Sequence, residues 1–260
     1  MEMRLQGKTA LVTGATSGIG QVIAQGFARE GAQVGVVGRN ELRGGQVAET
    51  IRASGGSAVF LAADLTSTTA IDRLVKEAND AFGLVDILVN NAGIYPLGPT
   101  ADVDEATFDR VIAINLKGPF FLTAALAPRM AERGSGKVIN ITTGAALVGV
   151  SGAALYGASK AALTLSTKAW AAEFGSSGVN VNAIAPGPTR TPGTESEGVE
   201  LGELARSIPA RRIADATEMV GAAVYLASDE ANYVNGITLP VDGGGTAALP
   251  VEQTHAAVEA

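Results

Sequence analysis

Thr9-Ala10-Leu11-Val12-Thr13-Gly14-Ala15-Thr16-Ser17-Gly18-Ile19-Gly20 is a short apolar run that ends in three spaced glycines, and a helical pattern over Ile19–Glu30 follows it. An apolar run without alternation suits a strand covered on both faces. Gly14 permits the tight turn that leaves the strand. Gly18 lets the backbone approach a pyrophosphate, and Gly20 lets the helix pack closely on the sheet. With Thr16, Ser17 and Ile19 between them, these residues place a helix N-terminus, with its unpaired N–H groups and partial positive charge, where a phosphate would lie.

The same alternation continues almost to the end of the chain. Further apolar runs fall at Gln33–Val37, Ser57–Ala62, Asp86–Val89, Lys137–Ile141, Asn180–Ile184 and Ile237–Val241. Helical patterns separate them at Glu41–Ala53, Thr69–Phe82, Glu105–Arg133, Ala154–Phe174 and Glu218–Ala227. Seven strands alternating with helices predict an α/β, doubly wound, Rossmann-type fold: a seven-stranded parallel sheet with helices on both faces. The stretch Asp104–Arg133 is too long for an ordinary helix, and Pro119 and Pro128 are expected to kink or divide it. Residues 186–212 lack a clear period and hold four prolines, from Pro186 to Pro209. A connection of that length reads as a lid, over about 188–212. One domain is expected over residues 1–246, followed by a tail over 247–260.

Composition excludes several chemistries. Hydrophobic residues make up 47% of the 260, and aromatics only 5%, so Val, Ile, Leu and Ala must build the core. The formal charge of −7 argues against a nucleic-acid partner. Cysteine is absent, which removes disulfides, thiolate catalysis and thiolate-bound zinc. The single histidine, His255, lies near the end of the chain, so neither a serine–histidine mechanism nor a histidine metal site is expected. Tyr, Lys, Asp and Glu remain for proton transfer. The start of the chain lacks the apolar stretch of a signal peptide, and no segment reads as a membrane span, which leaves the cytoplasm as the expected compartment.

Tyr156 and Lys160 stand as Tyr-Gly-Ala-Ser-Lys within a predicted helix, four residues apart and so on one face. A phenol has an ordinary pKa near 10, and a neighbouring ammonium lowers it. A phenol so tuned can exchange a proton with a carbonyl oxygen. The spacing alone is common by chance and gains weight from its neighbours.

Together, Thr-Gly-x-x-x-Gly-x-Gly at Thr13–Gly20, Asn90-Asn91-Ala92-Gly93 and Tyr156…Lys160 resemble the short-chain dehydrogenase/reductase family over roughly Lys8 to Gly244, and among its members the 3-oxoacyl-carrier-protein reductases. The resemblance implies a nicotinamide dinucleotide. Asp64-Leu65 match its adenine contact. Asn91, Ala92 and Gly93 match the segment beside its ribose, with Asn90 bracing the sheet. Pro186, Gly187, Thr189 and Thr191 match the segment that meets the nicotinamide and nearby phosphate. Where relatives that use NAD carry an acidic residue after the second strand, this chain has Gly38-Arg39-Asn40. A guanidinium grips a 2′-phosphate that a carboxylate would repel, so NADP(H) is the expected cofactor and NAD(H) the alternative. Asn115, in Ile-Asn-Leu-Lys-Gly, matches a helix Asn that holds a water linking the Lys to solvent in relatives. The family usually has Ser thirteen residues before the Tyr; here that residue is Thr143, which keeps the hydroxyl and adds a stiffening methyl.

The expectation is hydride transfer between NADP(H) and a small-molecule ketone or secondary alcohol, a class that includes 3-oxoacyl thioesters and related carbonyls. Asn115, Thr143, Tyr156 and Lys160 are its catalytic set, with Tyr156 and Lys160 also touching cofactor, and there is no metal. The rivals are an NAD-dependent alcohol dehydrogenase of the same fold and a non-catalytic NADP(H)-sensing protein. By resemblance the chain assembles as a homotetramer or homodimer through paired long helices, around Ala161, Ala162 and Ala169.

Overall fold

The run Thr9–Thr13 forms β1, and all five residues are buried. A strand so placed needs neighbours on both edges and helices on both faces. The computed structural model, which describes residues 3–196 and 201–247, supplies both. β2 (Gln33–Gly38) lies parallel on one side of β1, and β3 (Ser57–Ala62) outside it. On the other side come β4 (Ile87–Asn90), β5 (Gly136–Ile141) and β6 (Val179–Pro186). Two short strands, β7 (Thr189–Arg190) and β8 (Ala214–Asp215), pair with each other apart from the main sheet. β9 (Thr238–Val241) closes the sheet beside β6, giving the order β3-β2-β1-β4-β5-β6-β9, all parallel. The seven-stranded, doubly wound fold expected from the sequence is therefore present, with strand boundaries displaced by no more than two residues.

Alternate residues of each strand serve opposite faces. Ala10 and Val12 pack with α1 (Gly18–Arg29), α2 (Glu41–Ala53) and α9 (Glu218–Ala227); Leu11 packs with α3 (Thr68–Phe82), α5 (Gly118–Glu132) and α6 (Ala154–Phe174). Asn40 and Ser67 cap α2 and α3 by accepting the N–H of Arg43 and Ala70, and Asp104 caps α4 (Glu105–Ile112) through Thr107.

Between α4 and α5 the helix is divided otherwise than expected. A π-helical turn, Ala113–Lys117, joins them. Pro119 follows the π turn at the start of α5, and Pro128 sits inside α5 without ending it. Leu122, Leu126 and Met130 pack the helix on the sheet across that position. The whole run Glu105–Glu132 is, by length and composition, apolar enough to cross a membrane, which corrects the expectation that no segment reaches that length. Its apolar residues are partly spent on the sheet of this fold.

The segment expected to be irregular, 188–212, carries β7, α7 (Pro192–Ser196) and α8 (Leu201–Ser207). Arg211 turns the chain back at φ 55°. Beyond residue 247 the expected tail, with His255, lies outside the described residues.

Buried polar groups tie the centre of the sheet. Asn90 Nδ2 donates to Asn140 Oδ1 at 2.9 Å and to Thr123 Oγ1 at 3.3 Å, and Asn140 Nδ2 donates to Thr167 Oγ1 at 2.8 Å. Asn90 thus braces β4 against β5 and the helical layer behind. Replacing Asn140 with Ala strands partners in a dry interior, and is expected to cost about 2–3 kcal/mol, read from the urea midpoint of unfolding.

Candidate active site

Strand order reverses between β1 and β4, because the chain returns to the middle of the sheet to build its second half. A crevice opens there beyond the carboxyl ends of the strands. It measures about 890 Å³.

One end is built on the Gly-rich turn. Thr13 Oγ1 accepts the backbone N–H of Asn91 at 2.9 Å and of Ala92 at 3.1 Å, and donates to Val89 O. Asn91 Nδ2 answers by donating to Thr13 O at 2.8 Å and to Gly14 O at 3.2 Å. Backbone approaches so closely that a Cβ on Gly20 would collide with Asn91 Nδ2 and Gly14 O, and one on Gly14 would stand 2.8 Å from Ala92 Cα. Gly20 is buried under the turn, whereas Gly14, Thr16, Ser17, Gly18 and Ile19 line the crevice. The Ser17 side chain makes no capping bond to α1, so the first-turn N–H groups of this helix are available to an anion in the crevice. A Cβ on Gly18 would meet only Thr191, at 3.4 Å. The segment after β6 therefore passes opposite the turn.

Arg39, Asn40, Asp64 and Leu65 border the same end. Asn40 spends its side chain capping α2. Asp64 Oδ1 accepts from Thr66 N at 3.0 Å and Thr66 Oγ1 at 2.9 Å, and these bonds, aided by the Arg39 charge, hold its carboxyl below the ordinary range. Arg43, one turn into α2, lines the crevice as well. Its place among helical polar residues gave no sign of that. At Gly38 a Cβ would strike the Thr16 methyl, so an acidic side chain could enter only by moving a stiff, β-branched neighbour.

The centre gathers Tyr156, Lys160 and Thr143. Lys160 is buried and donates to Ile141 O at 2.9 Å; burial lowers its ammonium to about 8. Burial is also the largest influence on Tyr156 and raises its phenol, while a hydrogen bond with Thr143 lowers it and the neighbouring Tyr95 raises it. The sequence reading expected the Lys160 charge to lower the phenol; here burial outweighs the other influences, and the bond that opposes it comes from Thr143. Thr143 Oγ1 also accepts from Ala145 N at the turn that follows β5.

Asn115 does not line the crevice. It is wholly buried in the π turn, accepts from Ile94 N at 2.9 Å, and donates to Ile94 O at 2.8 Å and Ser159 Oγ at 3.0 Å. Ser159 Oγ in turn donates to Tyr156 O at 2.7 Å. Ser159 is thus a link that sequence reasoning passed over, although it stands beside Lys160 in the motif. A Cβ on Gly93 would be 3.2 Å from Lys160 Nζ and 3.3 Å from Asn115 Oδ1, so both polar ends flank the same bare Cα.

Asn91, Ala92, Gly93, Pro186, Gly187, Thr189 and Thr191 complete the wall. Thr189 turns its hydroxyl onto Gly187 O, and Thr191 exchanges bonds with Thr194 across the start of α7. Asp242 was not anticipated. Its carboxylate accepts from Gly244 N, Thr246 N and Thr246 Oγ1 and so holds Thr246 in the crevice wall, against the turn at Gly144. Among the described residues no cluster of His, Cys, Asp or Glu could hold a metal ion.

A family model described as enoyl-(acyl carrier protein) reductase matches residues 14–246. An oxidoreductase of Thermotoga maritima is 37% identical over 252 residues, covering 94% of this chain and all of that protein. A solved short-chain dehydrogenase/reductase family protein is 48% identical at a TM-score of 0.88, covering 95% of this chain and all of its own. The structure of a gluconate 5-dehydrogenase from Burkholderia cenocepacia in complex with NADP and tartrate is 34% identical at a TM-score of 0.91, covering 95% of this chain and 98% of that one.

Gly20→Ala should force Asn91 away from the Gly-rich turn. The expected result is a dissociation constant for NADPH raised by about tenfold or more, read by fluorescence titration, with the far-ultraviolet circular dichroism unchanged.

Proposed function

The chain belongs to the short-chain dehydrogenase/reductase family of oxidoreductases, and we propose that within it the protein interconverts ketones and secondary alcohols with NADP(H). One observation carries this reading: the Tyr156 phenol, with Thr143 in the same wall and the buried Lys160 one helical turn away, lines the same crevice as the uncapped N-terminus of α1. That N-terminus and the bare Gly18 fit a pyrophosphate; Arg39 and Arg43 fit a phosphate on the adenosine ribose.

Bound in the crevice, the dinucleotide supplies the hydride that carries two electrons to the carbonyl carbon. The chain's own residues manage the oxygen. Thr143 donates a hydrogen bond that orients it. Tyr156, kept protonated by burial, gives it a proton, so that ketone, hydride and proton sum to the secondary alcohol. Lys160 remains largely charged at neutral pH with its ammonium near 8, and steadies the phenolate until solvent restores the proton. Asn115 and Ser159 are positioning residues: they tie the π turn and the loop at Ile94 to the backbone of Tyr156. A relay of protons through Asn115 to solvent belongs to the same proposal. A 3-oxoacyl thioester falls within this class of carbonyl.

Thr143, in place of the family's usual Ser, presents its hydroxyl to the phenol, which favours an enzyme over a cofactor-sensing protein. Gly38 and Arg39 favour NADP(H) over NAD(H). Self-association is supported by Phe120, Phe121 and Leu165, exposed on the outer faces of α5 and α6. Cytoplasmic residence accords with a reaction that draws on a pool of reduced dinucleotide.

In a screen of NADPH oxidation against carbonyl compounds, Tyr156→Phe should lower kcat by about a thousandfold or more, Thr143→Ala by about a hundredfold, and Thr143→Ser little. Turnover surviving in Tyr156→Phe would refute the assignment. Arg39→Ala should raise KM for NADPH by about tenfold or more and leave KM for NADH nearly unchanged; equal effects on both would remove Arg39 from cofactor selection.

A further inference from the structure

Beyond Tyr156 the crevice continues into a mouth with a different chemistry. Two loops form one side. Leu97 stands on the loop after β4, and Val148 and Val150 on the loop before α6; Gly98 N donates to Gly152 O at 2.8 Å and ties the loops together. Leu204 and Ile208, on and just after α8, line the crevice as well. Tyr95 forms the inner wall, its ring 6.0 Å from that of Tyr156 in an edge-to-face arrangement. Although they line a crevice, Leu97, Val148, Val150 and Leu204 remain 54%, 44%, 47% and 36% exposed. Water is a poor partner for such a group of side chains, and an apolar ligand that displaced it would be held by the area it buries.

Charge is distributed in the opposite sense. The charged residues that line the described crevice are Arg39, Arg43, Asp64, Lys160 and Asp242. The first three stand at the Gly-rich end. Lys160 is buried on Ile141 O, and Asp242 is occupied by its own turn. Arg206, Arg211 and Arg212 do not line the crevice, and Arg212 is paired with Glu218.

We infer that the substrate is an uncharged ketone or secondary alcohol bearing an aryl or alkyl arm, which lies against Tyr95 among Leu97, Val148, Val150, Leu204 and Ile208, and that carboxylate-bearing carbonyls are excluded. The inference rests on the oxidoreductase reading for the position of the reacting oxygen, and on the mouth alone for the nature of the arm. A carboxylate placed there would give up part of its hydration against apolar side chains, with no cation among the residues that line the mouth.

The test uses methyl 4-acetylbenzoate and 4-acetylbenzoate, which share an aryl ketone and differ in charge at the far end of the ring. Two quantities are read: kcat/KM with NADPH, and the dissociation constant of each ketone from the protein–NADP⁺ complex by calorimetry. The ester should exceed the carboxylate by about a hundredfold in both. Val150→Lys, a change at an exposed position of the mouth, should improve binding of the carboxylate by about tenfold and that of the ester not at all. Carboxylate binding as tight as that of the ester overturns the inference, and so does carboxylate binding unmoved by Val150→Lys. If neither ketone is reduced while the ester still binds about a hundredfold tighter, the oxidoreductase reading fails and the inference about the mouth stands.

Discussion

The reciprocal clasp between Thr13 and Asn91 is the constraint on which the rest of the site depends. It spans β1 and β4 where the strand order reverses, and so joins the two halves of the fold at their carboxyl ends. A hydroxyl that accepts two backbone N–H groups, and an amide that donates to two backbone carbonyls, leave little freedom to either segment. The glycines of the turn follow from this. Gly20 is bare because Asn91 Nδ2 and Gly14 O already fill the space of a side chain, so the glycine pattern answers to the bracing of the sheet as well as to a ligand. Asn91 was expected beside a ribose; its side chain spends its donors on the turn itself.

From this clasp the geometry passes along the loop after β4. Its beginning is held by Thr13 and its continuation, at Ile94, by both ends of the Asn115 amide. Asn115 can reach that backbone because the π turn widens the helix at this point and turns an otherwise apolar stretch toward a polar task. The same amide bonds Ser159, and Ser159 bonds Tyr156 O. The pitch and height of α6, and with them the phenol and the ammonium, are thus referred to the same loop that lines the dinucleotide end of the crevice. Two regions distant in sequence are set against each other by buried hydrogen bonds whose loss would leave dry, unpaired groups.

The frame of the fold was legible because it rests on local patterns. Unbroken apolar runs demand a parallel sheet covered on both faces, and the helical patterns between them supply the cover. Most of the residues named from the sequence line the crevice because they follow strand ends, but it was the resemblance of their motifs to a family, not periodicity, that singled them out. What stayed hidden depends on distance through space. Arg43 reads as one more solvated position of α2 until the crevice is seen beside it. Asp242 and Thr246 follow the last strand and meet Gly144 only when the sheet is closed. The break between α4 and α5 takes the form of a π turn directly before Gly118-Pro119, a shape that a proline alone does not specify.

Burial of Lys160 gives the site both its cost and its direction. An ammonium removed from water and bonded to a single backbone carbonyl is held below its ordinary value, to about 8. The unfolded chain therefore binds the proton more readily than the folded one between about 8 and the ordinary lysine value. Stability from this residue rises with pH across that window and is lowest where the ammonium is fully formed. Below about 8 the protein bears that penalty. The charge it retains stands in the same crevice wall as a phenol that burial keeps protonated. A surface lysine would spare the fold the expense, but water would screen its charge from the phenol. The low dielectric that penalises the ammonium also leaves its charge little screened toward the rest of the crevice wall.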